Sequence, residues 1–295
     1  MPMRVSDQAL YSLANQRIMR ARSDSTAAGD AVSTGKRIQH PWDGSGDAGM
    51  MVQHQQTEGS NDGIFNATNH AAQELGAVDG AMDQITTSLT RAKELAVQMA
   101  NDTYNAADRQ DASAEVKQLF TAVVSQLNVR FGDRYLFGGT QDAAAPFDAS
   151  GAYLGDANVR KVEIAPGIMQ DASARADVAL KGSAGGVDVL QSLQDFVTAL
   201  NANDAVGVRT AVGDLDTSIS QVSRERSRVG AMMNVFDVAS SMAKQNRDAA
   251  TDARAKLEDV DIFSASTRFA ATQRALEASM SAAAQQFKLT LLDKL

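Results

Sequence analysis

The chain has 295 residues, 44% hydrophobic and 22% charged, enough for a substantial core and more than one domain. A formal net charge of -8 argues against nucleic acid as the main partner, because a phosphate backbone attracts Lys and Arg. The absence of cysteine excludes a disulfide framework, a thiolate zinc site and a Cys nucleophile, and 5% aromatic content leaves few large core fillers for what must be closely packed helices.

The N-terminal residues, Met1 to Leu13, lack the charged stretch and apolar run of a secretory signal. No apolar run approaches the roughly 20 residues that span a bilayer, so membrane insertion is not expected. Both features suit a cytosolic protein, or one exported without a cleaved signal. Met3, Leu10, Ala14, Ile18, Ala21, Ala28 and Val32 form a loosely spaced apolar row that predicts a long amphipathic helix. Thr34-Gly35 ends it with a C-terminal glycine, and His40-Pro41 prevents its resumption. Gly44 to Gly49 matches the glycine pattern of a dinucleotide-binding turn, but His40-Pro-Trp-Asp43 precedes it where a buried strand would be needed, so it reads as a flexible loop. His54 and Glu58 fall on one helix face, yet zinc needs three or four ligands and His70 is remote; the pair reads as a solvated polar face, and no cofactor or metal is expected.

Met82, Ile85, Leu89, Ala92 and Ala96 mark a helix over 81–100, and Val116, Leu119, Val123 and Leu127 another over 114–129. Residues 132–186 hold 9 of the 21 glycines and two of the four prolines. There Arg134 to Phe137 reads as a strand ending at Gly138-Gly139, and Val162-Glu-Ile164 alternates before Pro166-Gly167. Met232-Met233 reads as core filler, and the acids Glu258, Asp259 and Asp261 as the cap of a helix start. From Ile262 a heptad row runs through Ser266, Phe269, Gln273, Leu276, Met280, Ala283, Phe287 and Thr290.

This pattern predicts a mainly α protein with long antiparallel terminal helices, a helical rod domain and a small β-rich insert. The division falls at 1–40 with 258–295 for a paired terminal coiled coil, 41–131 with 187–257 for the rod, and 132–186 for the insert. The terminal seams are weak: Ser266, Gln273, Ala283 and Thr290 occupy places where Leu or Ile would contribute roughly 1.5–3 kcal/mol each. Their helices are therefore expected to order mainly when several copies pack together. Charge agrees, since residues 1–40 carry +3, 261–295 carry +1 and the body -12. The residues expected to carry self-association are Leu10, Leu13, Ile18, Phe269, Leu276, Met280, Phe287 and Leu291. No Gly-x-Ser-x-Gly elbow or other catalytic constellation appears, so an enzyme is not expected. The sequons at Asn66 and Asn101 carry no weight without a secretory signal.

Three motifs resemble the bacterial flagellin superfamily. Ser33-Thr-Gly35-Lys-Arg37-Ile38 followed by Pro41 and Asp43 is similar to the turn that closes its first helix. Arg224 to Phe236, and Leu257-Glu-Asp-Val-Asp-Ile262 leading to Gln273 through Met280, are similar to its C-terminal region. The insert, through Tyr135, Phe137, Gly138, Gly139 and Phe147 and then Gly151-x-Tyr153-x-Gly155-Asp156, resembles the hook–filament junction branch, as does the ending Leu291-Leu-Asp-Lys-Leu295. The resemblance implies terminal helices paired in the inner tube of a helical assembly, with an outward-facing insert. It implies self-association into a ring between the first hook-associated protein and flagellin, at the extracellular hook–filament junction. It further implies passage through the flagellar export apparatus, assisted by a secretion chaperone. Flagellin itself is the nearest alternative, and a cytosolic coiled-coil scaffold or signalling protein a rival of another class.

Overall fold

A computed structural model describes residues 3–38 and 46–292, and the side chains of 9, 11–38 and 46–285. The chain is mainly α, as expected, with α1 (Met3–Thr34), α2 (Asp47–Met99), α3 (Ala106–Leu127), α4 (Ala176–Ala179), α5 (Val189–Asn201), α6 (Ala205–Glu258) and α7 (Ile262–Leu292). The strands are β1 (Arg130–Phe131), β2 (Arg134–Tyr135), β3 (Lys161–Ala165) and β4 (Ile168–Asp171). The chain divides into two compact units, Met1–Gly59 with Arg247–Leu295, and Ser60–Asn246.

The larger unit contains the main core. On α2 the apolar positions spaced by three and four, Leu75, Met82, Ile85, Leu89, Ala92 and Ala96, are all buried. They meet one core with Val116, Val123 and Leu127 of α3, Leu193 and Phe196 of α5, and Leu215, Val229 and Phe236 of α6. Met232 is buried there as expected. The helix starts follow from their caps. Asn105 accepts N–H bonds from Ala107 and Asp108 at 2.8 and 3.1 Å, while Asp108 accepts from Asn105 at 3.0 Å, and Asp188 caps α5 by accepting from Leu190 and Gln191 N–H.

The break between α5 and α6 has no glycine or proline; its signals are Asn203 and the cap residue Asp204, which accepts Val206 N–H at 3.0 Å. Asn203 turns the chain there at φ 52°, its side-chain oxygen held by buried Arg109, whose Nε also donates to Met99 O at 3.1 Å.

The insert is less β-rich than its composition suggests. β1 and β2 pair antiparallel with Phe131 opposite Arg134, and β3 and β4 pair with Lys161 opposite Asp171. The strand expected over Arg134–Phe137 stops at Tyr135; Leu136 and Phe137 leave the ladder and are buried. Val162-Glu-Ile164 does lie in a strand, turning back at Pro166-Gly167. Within this unit an apolar groove of about 520 Å³ opens between the β3–β4 hairpin and α6, lined by Ile164, Ile168, Val235, Val238 and Met242.

In the smaller unit α1 and α7 run antiparallel. Phe269 packs over Gly29, where a Cβ would stand 3.1 Å from its ring, and Ile262 lies beside Gly35. On α1 the buried or half-buried row is Ala14, Ile18, Ala21, Ser25, Ala28 and Val32, the expected row from Ala14 onward with Ser25 added; the side chains of Met3 and Leu10 lie outside the described residues. On α7 it is Ala265, Phe269, Thr272, Leu276, Ser279 and Ala283. The heptad row expected from Ile262 is thus corrected: Phe269, Leu276 and Ala283 belong to the seam, whereas Ile262, Ser266, Gln273 and Met280 are exposed. The physical reason is close approach: the small residues Ala265, Thr272 and Ser279 let the helices come together around Phe269 and Leu276, so the row through Ile262, Gln273 and Met280 faces outward.

Two smaller readings also change. Residues 47–49 of the glycine stretch form the first turn of α2 rather than a loop. Neither His54 nor Glu58 is on a fully solvated face, since Glu58 is largely buried with its carboxylate 3.4 Å from Arg254 Nε.

Candidate assembly interface

Two of the motifs singled out in sequence meet in space at the turn that follows α1. Gly35, at φ 71°, closes α1 by donating its N–H to Ala31 O at 3.0 Å. A positive φ there favours glycine, so the motif's Gly35 has a backbone cause. Ser33 and Thr34 donate their hydroxyls back to Asp30 O. The next residues then clip onto the α6–α7 junction. Arg37 N–H donates to Glu258 O at 2.6 Å, and Val260 N–H donates to Gly35 O at 2.9 Å.

Side chains reinforce the clip. Arg37 Nη2 reaches both Leu257 O and Asp47 Oδ2 at 2.8 Å, Lys36 Nζ lies 2.5 Å from Glu258 Oε1, and Ile38 is buried. Glu258 ends α6 instead of opening α7, which corrects its reading as part of a cap. Its charge at a helix C-terminus is unfavourable to the helix dipole, and Lys36 together with Arg254, 3.8 Å away, offsets it. Asp261 alone of the three acids caps α7, accepting from Phe263 N–H at 3.1 Å and the Ser264 hydroxyl at 2.7 Å. The Ser264 hydrogen bond, followed by the backbone ones, holds its carboxyl below the usual carboxylate range. Pro41 and Asp43, the last members of the turn motif, lie outside the described residues.

The terminal helices leave large apolar side chains uncovered. Leu13 is 44% exposed, Met280 50% and Phe263 80%, with Tyr11, Met19 and Ile262 also exposed. Several such residues on two paired helices exceed the isolated surface apolar residue that needs no explanation. Of the expected self-association residues, Ile18, Phe269 and Leu276 are half-buried in the α1–α7 seam, and Leu13 and Met280 are open to solvent. Leu10 belongs to α1, and Phe287 and Leu291 to α7; their side chains lie outside the described residues. Sequence reasoning missed Phe263 and Tyr11, which interrupt the heptad count although their size was a visible signal.

The insert motif is a self-locking loop. Asn128 grips Phe147 from both sides, donating to its carbonyl at 2.8 Å and accepting its N–H at 3.0 Å. Phe147 stacks at 5.0 Å on Tyr153, whose hydroxyl donates to Asp156 O at 2.7 Å and contacts Phe137 O at 3.2 Å. Burial, followed by the charges of Asp177 and Asp156, pushes the Tyr153 hydroxyl up to about 12, so it stays protonated and donating. Asp156 accepts from the N–H groups of Thr140 and Asn158 at 2.9 and 3.1 Å and from the Thr140 hydroxyl. Hydrogen bonds from Thr140, first its hydroxyl and then its N–H, bring that carboxyl down to about 2. The Gly138-Gly139 pair is required by close approach: a Cβ would fall 2.4 Å from Gln141 O at Gly138 and 2.1 Å from Asp156 Oδ1 at Gly139. Tyr135 is half-buried, with the Arg130 guanidinium 5.2 Å from its ring centre. Phe137, Gly138, Gly139 and Phe147 therefore come together in one loop structure, with Tyr135 in the adjoining β1–β2 hairpin.

Among the described residues no group of three His, Cys, Asp or Glu could hold a metal ion, and no helix is long and apolar enough to cross a membrane. The fold defines a class of mainly helical protein whose paired terminal helices carry exposed apolar side chains. Residues 5–142 match the family model of the bacterial flagellin N-terminal helical region, and residues 212–295 that of the bacterial flagellin C-terminal helical region. The chain belongs to the bacterial flagellin family. It is 25% identical to flagellar hook-associated protein 3 of Escherichia coli over 95% of this chain and 96% of that protein. It is 30% identical to flagellar hook-associated protein 3 of Salmonella typhimurium over 52% of this chain and 49% of that one. The solved structure of Xanthomonas campestris FlgL shares the fold, with a TM-score of 0.61 at 19% identity over 68% of this chain and 99% of that one. Flagellins and flagellar filament core proteins match as well, at 24 to 26% identity.

Proposed function

We propose that this protein is a structural, non-catalytic component of the bacterial flagellum. It forms a short helical ring that joins the hook, through the first hook-associated protein, to the flagellin filament. The observation that carries this reading is the match to a hook-associated protein 3 along nearly the whole of both chains, 95% and 96%. The exposed apolar side chains of α1 and α7 support it, because they supply many modest contacts that become favourable only when summed over neighbouring copies. In this scheme 1–40 and 258–295 are the assembly layer, 41–131 and 187–257 the rod, and 132–186 the insert. Leu10, Leu13, Ile18, Phe269, Leu276, Met280, Phe287 and Leu291 make the assembly contacts. The protein works outside the cell, delivered by the flagellar export apparatus with a secretion chaperone.

The match to filament proteins favours a second reading, flagellin itself. Adding purified protein to isolated hooks and to filament seeds separates the two. A junction protein adds a limited layer to hooks and stops, whereas flagellin elongates seeds indefinitely. Failure to add to either would overturn both readings. In the same assay Phe287→Asp is expected to abolish addition while leaving the melting transition of the larger unit unchanged.

A further inference from the structure

We infer that α2 contains a built-in flex point at Gly59–Gly63, independent of the α1–α7 turn. Glycine in a helix interior needs a reason, since each costs about 1 kcal/mol against alanine. Packing gives none at these positions: nothing lies within 4 Å of a Cβ added at Gly59 or Gly63. Backbone conformation gives none either, because neither has a positive φ.

Two further observations fall at the same place. The boundary between the compact units crosses α2 between Gly59 and Ser60. The packing along α2 also changes here: no residue of 47–60 is buried, burial begins at Asn61 and Ile64, and Leu75, Met82, Ile85 and Leu89 follow in the core. The ion pair just before it is loose: Glu58 Oε1 and Arg254 Nε are 3.4 Å apart, both buried, and neither makes a hydrogen bond. A helix with weak intrinsic propensity, few buried apolar contacts and an incompletely bonded ion pair opens locally at low cost. The two glycines therefore let α2 bend here. The flex point stands apart from the junction reading; only its use, accommodating dissimilar neighbours on the two sides of a ring, rests on that reading.

Amide hydrogen exchange of the full chain tests it. Amides 60–67 are expected to exchange at least about tenfold faster than 82–89, and Gly59→Ala with Gly63→Ala to slow them about 10- to 30-fold, the effect of two alanine-for-glycine changes. Gly80→Ala, at another glycine with nothing within 4 Å, is the control and should leave amides 60–67 unchanged. Equal exchange across 60–67 and 82–89, or no slowing in the double variant, would overturn the flex point. If the double variant slows exchange yet adds to hooks normally, its use in assembly is refuted while the flex point stands.

Discussion

The two units solve the same problem with different materials. Unit 60–246 buries Leu75, Met82, Leu89, Phe196 and Phe236 completely or nearly so, in a core drawn from four helices and the insert. The α1–α7 pair buries Ala14, Ser25, Ala28, Ala265 and Ala283, and leaves Phe263 and Met280 in water. A buried Leu or Phe contributes roughly 1.5–3 kcal/mol and an alanine methyl far less, so the first unit has much more apolar burial to hold it than the hairpin has. Among its small residues the seam holds Ile18, Val32, Phe269 and Leu276, and the exposed Phe263 and Met280 are the surface that, in the proposed reading, other chains would cover.

The comparison can be broken from either side. The largest effect is expected from Phe236→Ala, which empties a fully buried site and should cost about 3–5 kcal/mol, read as a lowered denaturant midpoint. Next is Gly139→Ala, where φ 71° and the Asp156 carboxylate both oppose a side chain; it should cost about 2–3 kcal/mol and release the insert loop in near-UV dichroism. Smaller still is Met280→Asp, predicted to change monomer stability by less than about 0.5 kcal/mol because the residue is half exposed, yet to block assembly in sedimentation. If Met280→Asp assembles normally, the outer face of α7 is not the contact.

The least effect is one of pH. Asp156 is held at about 2 in the folded loop, below its ordinary value near 3.8. Its contribution is therefore fully present above the ordinary value and is lost as pH falls through about 2. Acid should loosen the insert in wild type, and Asp156→Asn should remove that part of the pH dependence.

Much of the larger unit was legible because its helices follow simple periodicity: Met82, Ile85, Leu89, Val116, Val123 and Leu127 are all buried as their spacing requires. The α7 seam was read half correctly. Its register can be counted through Ile262 and Met280 or through Ala265 and Thr272, both sharing Phe269, Leu276 and Ala283, and choosing larger side chains selects the outer row. The break at Asn203 went unread although Asn203 and the capping Asp204, which accepts Val206 N–H at 3.0 Å, are local signals; only the bond from Arg109, 94 residues earlier in the chain, is tertiary. The clip between Arg37 and Glu258 was hidden for a similar reason: the motifs were visible, but their meeting is a tertiary fact.

The claim that neighbouring copies complete the terminal hairpin is tested most directly by limited proteolysis of the dilute monomer, compared with the same protein assembled on hooks. The account predicts early cleavage within α1 and α7 in the monomer, survival of a fragment containing residues 60–246, and protection of both helices on assembly. Terminal helices as resistant in the dilute monomer as the 60–246 core would contradict it.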